Sequence, residues 1–111
     1  MTLAELKTLL ETTGYPVAYH HFVATPEAPL PNSPYIVYLF VSSDNFKADD
    51  RVYLVKGNYQ VELYTSIKDM TAEENLESIL NGEGLCWEKS ELYIESEALY
   101  QVVYSIQIIE R

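Results

Sequence analysis

The pattern that most constrains the fold of this chain is an alternation of apolar and polar residues between positions 99 and 109. A period of two is typical of a β-strand with one buried face. The apolar positions are Tyr100, Val102, Tyr104, Ile106 and Ile108, opposite Gln101, Ser105 and Gln107, with Val103 and Ile109 interrupting the polar side. Residues 86–94 form another strand-like run, and a turn near residues 95–97 separates the two. Together they predict a closing β-hairpin whose apolar face needs a second layer.

Two further strands are predicted on either side of a proline-rich segment. Residues 17–23 read as the first strand. Residues 35–41 are apolar on both alternating sets, so both faces need cover and we expect this strand to be central in the sheet. Residues 24–34 contain four prolines, which remove amide donors and predict a loop or arm. A binding element and a semi-rigid connector are equally consistent with that composition.

A compact turn signal, Lys56-Gly57-Asn58, lies between two strand-like runs. The runs are residues 51–55 and 59–65, and a short loop with Gly and Asn between such runs favours a β-hairpin. The second strand of this predicted hairpin has one apolar face and one mixed face, so we expect only one face to be buried.

Two capping-box patterns predict two short helices. Thr2 and Glu5 have the required spacing at the first, and Thr71 and Glu74 repeat it at the second. The apolar stripes are Leu3, Leu6, Leu9 and Leu10 in the first helix and Leu76, Ile79 and Leu80 in the second. Each stripe is followed by glycine, which is common just after a helix. We expect both stripes to pack on the sheet.

This order of elements predicts an α+β fold. Hairpin-linked strands interrupted by helices favour a two-layer sandwich, a mostly antiparallel or mixed β-sheet carrying two α-helices, over a doubly wound nucleotide-binding fold. A length of 111 residues is usual for one domain, so residues 1–111 are expected to form a single domain.

Charge excludes several classes of partner. The net charge is −10, distributed as −2 over residues 1–68 and −8 over residues 69–111. Such a field opposes general adhesion to nucleic acid or to anionic membranes. The apolar runs are too short to cross a bilayer. No basic leader with a long apolar segment opens the sequence, and one cysteine forms no internal disulfide, so we expect synthesis inside the cell.

The two histidines and the one cysteine are the candidates for reactive or metal-binding groups. His20 and His21 fall in a predicted strand, where their side chains would point to opposite faces and would not hold one metal ion. Cys86 begins an apolar strand, where a small buried side chain is the usual role of cysteine. We therefore expect no metal site and no thiol nucleophile.

The acidic pairs and the glycines have structural explanations. Asp49-Asp50 suits a solvated turn, and Glu73-Glu74 suits the positive end of a helix dipole. The sequence contains no Gly-rich phosphate loop, and its ten tyrosines lack the basic groove that base-stacking surfaces combine with aromatics. We expect strand and interface roles for most tyrosines, with no catalytic, cofactor-binding or metal-binding residues and no enzymatic activity.

Several segments resemble, in order and length, one family of viral proteins. They are residues 58–65, Lys68-Asp69, the Glu-rich helix ending at Leu80, and the strand at residues 99–104. Together they are similar to the small tail-completion proteins of long-tailed bacteriophages and prophages, which are tail terminators or tail-to-head joining proteins. The resemblance covers most of the chain.

Membership would imply a non-enzymatic virion component that forms a ring. Such a ring caps the tail tube, stops its polymerisation and presents a surface to the head-connector protein. The expected partners are other copies of the chain, the major tail-tube protein and the head-completion protein, with DNA passing through the lumen without specific binding. The expected location is the virion tail, after synthesis and assembly in the cytoplasm of the bacterial host.

The acidic excess suggests a use in such a ring. A lumen lined by Glu73, Glu74 and Glu77 would repel the phosphate backbone and let DNA slide. The alternative is a small intracellular adaptor or regulatory protein-interaction module, which would stay monomeric or dimeric and bind a peptide. A small enzyme would instead need a pocket that joins a histidine to Cys86 or to a carboxylate.

Overall fold

The computed structural model of this protein describes residues 1–23, 25–27 and 30–110, with the backbone alone at Val52, Tyr53 and Glu110. Of the predicted proline-rich loop, Ala24, Ala28 and Pro29 lie outside the described residues, as does Arg111 at the end of the predicted domain. Residues 25–27 and 30–34 contain neither helix nor strand, which confirms the loop for the part that is described.

The described residues form two helices and six strands. In chain order these are α1 (Leu3–Glu11), β1 (Val17–Tyr19), β2 (Tyr35–Ser43), β3 (Phe46–Ala48), β4 (Arg51–Thr65), α2 (Met70–Gly82), β5 (Trp87–Ile94) and β6 (Leu99–Glu110). The sheet order is β1-β2-β4-β6-β5, with β3 paired to β4 outside that path. Only β1 and β2 pair in parallel, so the sheet is mixed and the predicted α+β class is confirmed.

Both helices pack on one face of the sheet. Leu6 and Leu10 of α1 and Leu76 and Leu80 of α2 are fully buried in one cluster. The sheet supplies to this cluster Ile36, Tyr38, Val61, Leu63, Val102, Tyr104, Ile106 and Ile108. The last four of these are apolar positions of the alternating pattern in β6, so the predicted buried face of that strand is confirmed. Its hairpin with β5 is confirmed as well.

The two helix starts differ in how well the sequence predicts them. Thr2 caps α1, and its hydroxyl oxygen accepts a hydrogen bond from the Glu5 amide at 3.2 Å. The predicted start of α2 at Thr71 is wrong, because Asp69 is the cap and its carboxylate accepts from the Ala72 amide at 3.0 Å. Asp is as good a cap as Thr, and its position starts the helix two residues earlier.

The predicted turn at residues 56–58 is wrong, since β4 runs through it as one strand of 15 residues. Side-chain hydrogen bonds hold Asn58 in the sheet. Its side-chain Nδ2 donates to Ser42 Oγ at 3.1 Å and to Asp44 Oδ2 at 2.8 Å. Gly57 lies opposite Ser43 in the ladder with β2. These neighbours override the local preference of Gly and Asn for turns.

The hairpin that does form reverses at Asp49 and Asp50. Both have a left-handed backbone, with φ of 51° and 60°, as the tightest hairpin turns require and as Asp tolerates. The solvated turn expected for Asp49-Asp50 is therefore confirmed, whereas β3 is a strand that the sequence pattern does not predict. Residues 51–54 of β4 pair with β3 alone among the described strands, because β2 and β6 pair with later parts of β4. We call residues 44–57 the arm.

Two predictions about the first half of the sheet need correction. β1 stops at Tyr19 instead of residue 23, because His20 has φ of 67° and leaves the extended region. β2 is flanked by β1 and β4, so β4 and not β2 is the central strand. Ile36, Val37 and Tyr38 are buried, as expected of a strand covered on both faces, but β2 is exposed from Phe40 onward, beyond its pairing with β1.

Candidate assembly surface

The two histidines lie together rather than on opposite faces. Both are exposed and follow β1, and their Nδ1 atoms are 2.9 Å apart. The predicted divergence is wrong because it assumed a strand at these positions. In the described part of the chain, no group of three or more His, Cys, Asp or Glu side chains is placed to hold a metal ion.

Cys86 is exposed, which contradicts its predicted burial. It precedes β5, so the alternation of that strand does not turn it toward the core. It lines a shallow depression with Asn58, Trp87 and Glu88, whereas the histidines line a different one. The structure therefore does not bring Cys86 to a histidine.

A charged cluster joins α2 to the sheet. Glu73 is only 4% exposed, and its carboxylate oxygens lie 2.7 Å from Lys68 Nζ and 2.7 Å from Lys89 Nζ. One turn later, Glu77 Oε2 accepts hydrogen bonds from Lys89 Nζ at 2.8 Å and from the Tyr104 hydroxyl at 2.6 Å. We call these five residues the ion cluster. The spacing of Glu73 and Glu77 on one helix face was the sequence signal that could have revealed it.

The ion cluster keeps its groups in defined protonation states. Burial alone would raise the pKa of Glu73, but hydrogen bonds from Lys68 and Lys89 outweigh it and hold the pKa below its usual value. Burial raises the pKa of Tyr104, and its hydrogen bond to Glu77 adds to the increase. At neutral pH Glu73 is therefore ionised and Tyr104 is protonated. This arrangement is structural, since the ammonium groups satisfy the carboxylates.

The ion cluster alters the hypothesis of an acidic lumen. That hypothesis gave Glu73, Glu74 and Glu77 one shared role as a negative surface. Glu73 is buried and Glu77 is half-buried, and both are paired with ammonium groups, so Glu74 is the exposed acid of the three. Any negative surface of the protein must come mainly from acids outside the sheet-facing side of α2.

The sheet face opposite the helices carries polar and aromatic side chains. Tyr35 and Tyr64 stack with ring centroids 5.0 Å apart. The Tyr64 hydroxyl donates to Glu62 Oε1 at 2.9 Å and accepts from Gln101 Nε2 at 2.8 Å. Further along, Gln107 Nε2 donates to Asn58 Oδ1 at 3.2 Å. Among the described residues no helix packs here, so this face offers a surface to another molecule.

The segment after β1 covers one corner of this open face. Phe22 packs edge-on against Tyr35 with ring centroids 5.4 Å apart. Phe22 and Leu30 border a cavity of about 480 Å³ whose floor includes Val37 and Tyr64. Val37 is buried there at 4% exposure. The beginning and end of the described loop thus shield the sheet corner that is nearest to β1.

Exposed apolar side chains gather at the arm end of the sheet. Strand register places Phe40 and Val55 on the helix side of the sheet and Ile109 on the open side, so apolar side chains are exposed on both faces of this end. Exposed apolar surface of this kind is typical of contact regions in soluble proteins. The residues, each 41–58% exposed, are Phe40, Val41, Phe46, Val55 and Ile109. The sequence pattern does not predict this exposed group, because β3 was not expected to be a strand; the apolar Phe46 between the polar Asn45 and Lys47 was the available signal.

The opposite margin of the sheet is the outer edge of β5. Within the described chain, β5 pairs with β6 and ends the strand order, so its outer amides and carbonyls face away from the sheet. Leu92 is 58% exposed and Tyr93 is 45% exposed on this strand. Edge strands with such residues readily accept another strand unless charge opposes it.

Comparison with protein-family models gives no match, and comparison with curated proteins gives none either. Of the helices in the described chain, neither has the length and hydrophobicity required to cross a bilayer. The features of this molecule that bear on function are the arm, the open face of the sheet and the β5 edge.

Proposed function

We propose that this protein is a non-enzymatic tail-completion component of a bacteriophage or prophage. It assembles into a ring that caps the tail tube, stops its polymerisation and joins it to the head connector. Its partners are further copies of itself, the major tail-tube protein and the head-completion protein. It is made in the bacterial host cytoplasm and is retained in the virion tail.

The observation that carries this proposal is that the central strand continues into a projecting arm. β4 forms the middle of the body sheet and one side of the arm, and the open edge of β5 lies at the far side of the body. A protein with two different exposed surfaces on opposite sides can join head to tail with its copies. Such heterologous contacts close into a ring when the rotation between copies is suitable.

The electrostatics support passage of DNA without adhesion. A net charge of −10 repels phosphate, and two of the seven basic residues, Lys68 and Lys89, are already engaged in the ion cluster. Neutralising phosphates requires several exposed cations acting together. Duplex DNA should therefore give no shifted band with the assembled ring in an electrophoretic assay at about 150 mM salt.

The test begins with the mass of the assembly. Light scattering after size-exclusion chromatography, native mass spectrometry and electron microscopy should show a closed ring, either alone or on tubes of the major tail-tube protein. Excess protein added during tube polymerisation should cap the tubes and shorten them, whereas an equal amount of serum albumin should not.

A different set of results would overturn the proposal. A species that stays monomeric or dimeric at every concentration, and that neither binds nor caps tubes, would exclude tail completion. Tight binding of a peptide by such a species would favour the adaptor alternative. Mass spectrometry of purified virions provides an independent check, because a structural component must be present in them.

A further inference from the structure

The cavity beneath Phe22 and Leu30, which we call the corner cavity, is lined by aromatic rings and bordered by one carboxylate. Besides Phe22, the rings are those of Tyr35 and Tyr64, and the carboxylate is that of Glu97 in the turn between β5 and β6. The three aromatic side chains are half-buried, so part of each ring is accessible. The volume of about 480 Å³ lies in the usual range of ligand-binding clefts.

Contacts within the protein hold the rings in place before anything binds. Tyr35 and Tyr64 are stacked with an angle of 17° between their planes, and Phe22 stands at 83° to Tyr35. The Tyr64 hydroxyl donates to Glu62 and accepts from Gln101, which fixes the orientation of its ring. A site that is already ordered loses less conformational entropy when a ligand binds.

The corner cavity has a negative charge that the protein itself leaves unpaired. Among the described residues, Glu97 makes no ion pair, and no lysine or arginine lines the cavity. Burial raises the pKa of the Tyr35 hydroxyl, and the charge of Glu97 raises it further, so the field of the carboxylate reaches this ring. The whole chain carries a net charge of −10. The cavity therefore attracts cations and repels anions.

Two histidines form one wall of the corner cavity. The His21 amide donates to the Tyr19 carbonyl at 2.7 Å, and His20 has φ of 67°, so a tight turn brings both rings to the cavity. One Nδ1 in their 2.9 Å hydrogen bond must be an unprotonated acceptor, so the pair carries at most one positive charge. At about pH 8, above the range in which histidine ordinarily gains a proton, Glu97 is the charged group among the described lining residues.

We propose that the corner cavity binds the guanidinium group of an arginine side chain on a partner protein. A guanidinium is planar, stacks on aromatic rings, pairs with carboxylates and is more weakly hydrated than an ammonium group. The apolar stem of the arginine contacts Leu30 and Leu99. Free arginine fits less well, because its own carboxylate would enter a negative field without a basic partner. This site does not depend on the proposed ring.

A peptide titration followed by NMR tests the site. The probe is acetyl-Gly-Arg-Gly-amide, added to methyl-labelled native protein at about pH 8 and about 150 mM salt, where distant charges are screened. The methyl signals of Val37 and Leu99 should shift and saturate. The same peptide with citrulline, whose urea group is neutral and similar in shape, should bind at least about fivefold more weakly. The lysine peptide and free arginine should each bind at least about threefold more weakly.

Variants separate the cavity from the general acidity of the surface. Glu97→Gln should raise the Kd of the arginine peptide at least about threefold, and Tyr35→Leu, which keeps an apolar side chain but removes one ring, should do the same. Glu95→Gln is the matched control, because Glu95 is exposed in the same turn but does not line the cavity. It should change the Kd by less than about 1.5-fold. Unshifted methyl signals of the buried Leu76 and Leu80 establish that each variant is folded.

Each possible result decides one part of the inference. Equal binding of the arginine and citrulline peptides, or an absence of saturable shifts at Val37 and Leu99, would refute a guanidinium site. Equal weakening by Glu97→Gln and Glu95→Gln would show diffuse attraction to an acidic surface and would also refute it. Free arginine that binds as tightly as the peptide would replace the partner protein by a small molecule. Ring formation is measured separately by mass, so the proposed function stands or falls independently of these titrations.

Discussion

Replacing Glu73 by glutamine tests whether the ion cluster stabilises the fold. The substitution keeps the shape of the side chain but removes the negative charge that two ammonium groups share. The Glu73 side chain is 5% exposed, whereas Lys68 is 42% exposed and Lys89 is 33% exposed. The carboxylate is therefore desolvated, while both ammonium groups retain contact with water and can be rehydrated after the change.

The expected loss of stability lies between two reference cases. Breaking a fully buried pair costs about 3–5 kcal/mol, and breaking an exposed pair costs roughly 0.2–1 kcal/mol. Because only the carboxylate is buried, we expect Glu73→Gln to lower the free energy of unfolding by about 1–2 kcal/mol. Glu74→Gln removes the same charge from the adjacent exposed position and should change stability by less than about 0.5 kcal/mol.

The effect should depend on pH in a defined direction. The pKa of Glu73 is lower in the folded state than its unfolded value of roughly 4.3. Its contribution to stability is therefore fully present above about pH 5 and is lost as the pH falls through the folded pKa. The difference in unfolding free energy between Glu73→Gln and the native chain should accordingly shrink below about pH 4.3.

Urea denaturation followed by circular dichroism measures these differences. It should be done below the concentration at which the native chain assembles, so that unfolding is not coupled to dissociation. Equal m-values among the three proteins would support a comparison of free energies. Equal losses for Glu73→Gln and Glu74→Gln at pH 7 would refute the reasoning, as would a difference that grows on acidification.

Three further predictions use the same denaturation assay. Leu76→Ala should cost about 2–5 kcal/mol because Leu76 is fully buried, whereas Ile67→Ala, at 70% exposure, should cost less than about 0.5 kcal/mol; similar losses would contradict the assigned core. Tyr104→Phe removes the hydrogen bond to Glu77 and should cost about 1–2 kcal/mol, and an unchanged stability would show that the bond contributes nothing. Gly57→Ala places a Cβ 2.6 Å from the Tyr59 ring and should destabilise by about 1 kcal/mol or more unless that ring moves aside.

Where one physical signal acts alone, the sequence predicts the fold well. The alternation in β6 requires a one-sided strand, and the leucine stripes of α1 and α2 require a sheet to cover. The structure confirms each of these. The Thr2 hydroxyl caps α1 by accepting a hydrogen bond from the amide of Glu5, three residues later. Because the two residues are close in sequence, this capping role can be predicted from the sequence.

Positions decided by distant partners escaped prediction. Asn58 looks like a turn residue until Ser42 and Asp44 hold its amide in the sheet. The solvated turn expected for Asp49 and Asp50 is confirmed, but the pairing of β3 with the start of β4, which makes it the turn of a hairpin, is not visible in the local sequence. The conformation at these positions depends on which residues pair across neighbouring strands. A short stretch of sequence does not contain that information.

The candidate surface was predicted least well for the same reason. Glu73 reads as a helix-start acid, and only the packing of α2 on β5 brings Lys89 to it. Cys86 reads as a core residue, but it lies outside the strand. The arm surface depends on β3, a strand of three residues that is too short for a periodic signal.

The continuity of β4 from the arm into the body has a mechanical consequence. Interstrand hydrogen bonds of antiparallel strands run perpendicular to the strands, so tension applied to the arm along β4 loads them in shear. β2 and β6 flank the body part of β4, and many bonds on both sides must then yield together instead of opening one after another. A pull on the arm is thus resisted by the middle of the sheet, which is the part of the molecule best able to withstand it.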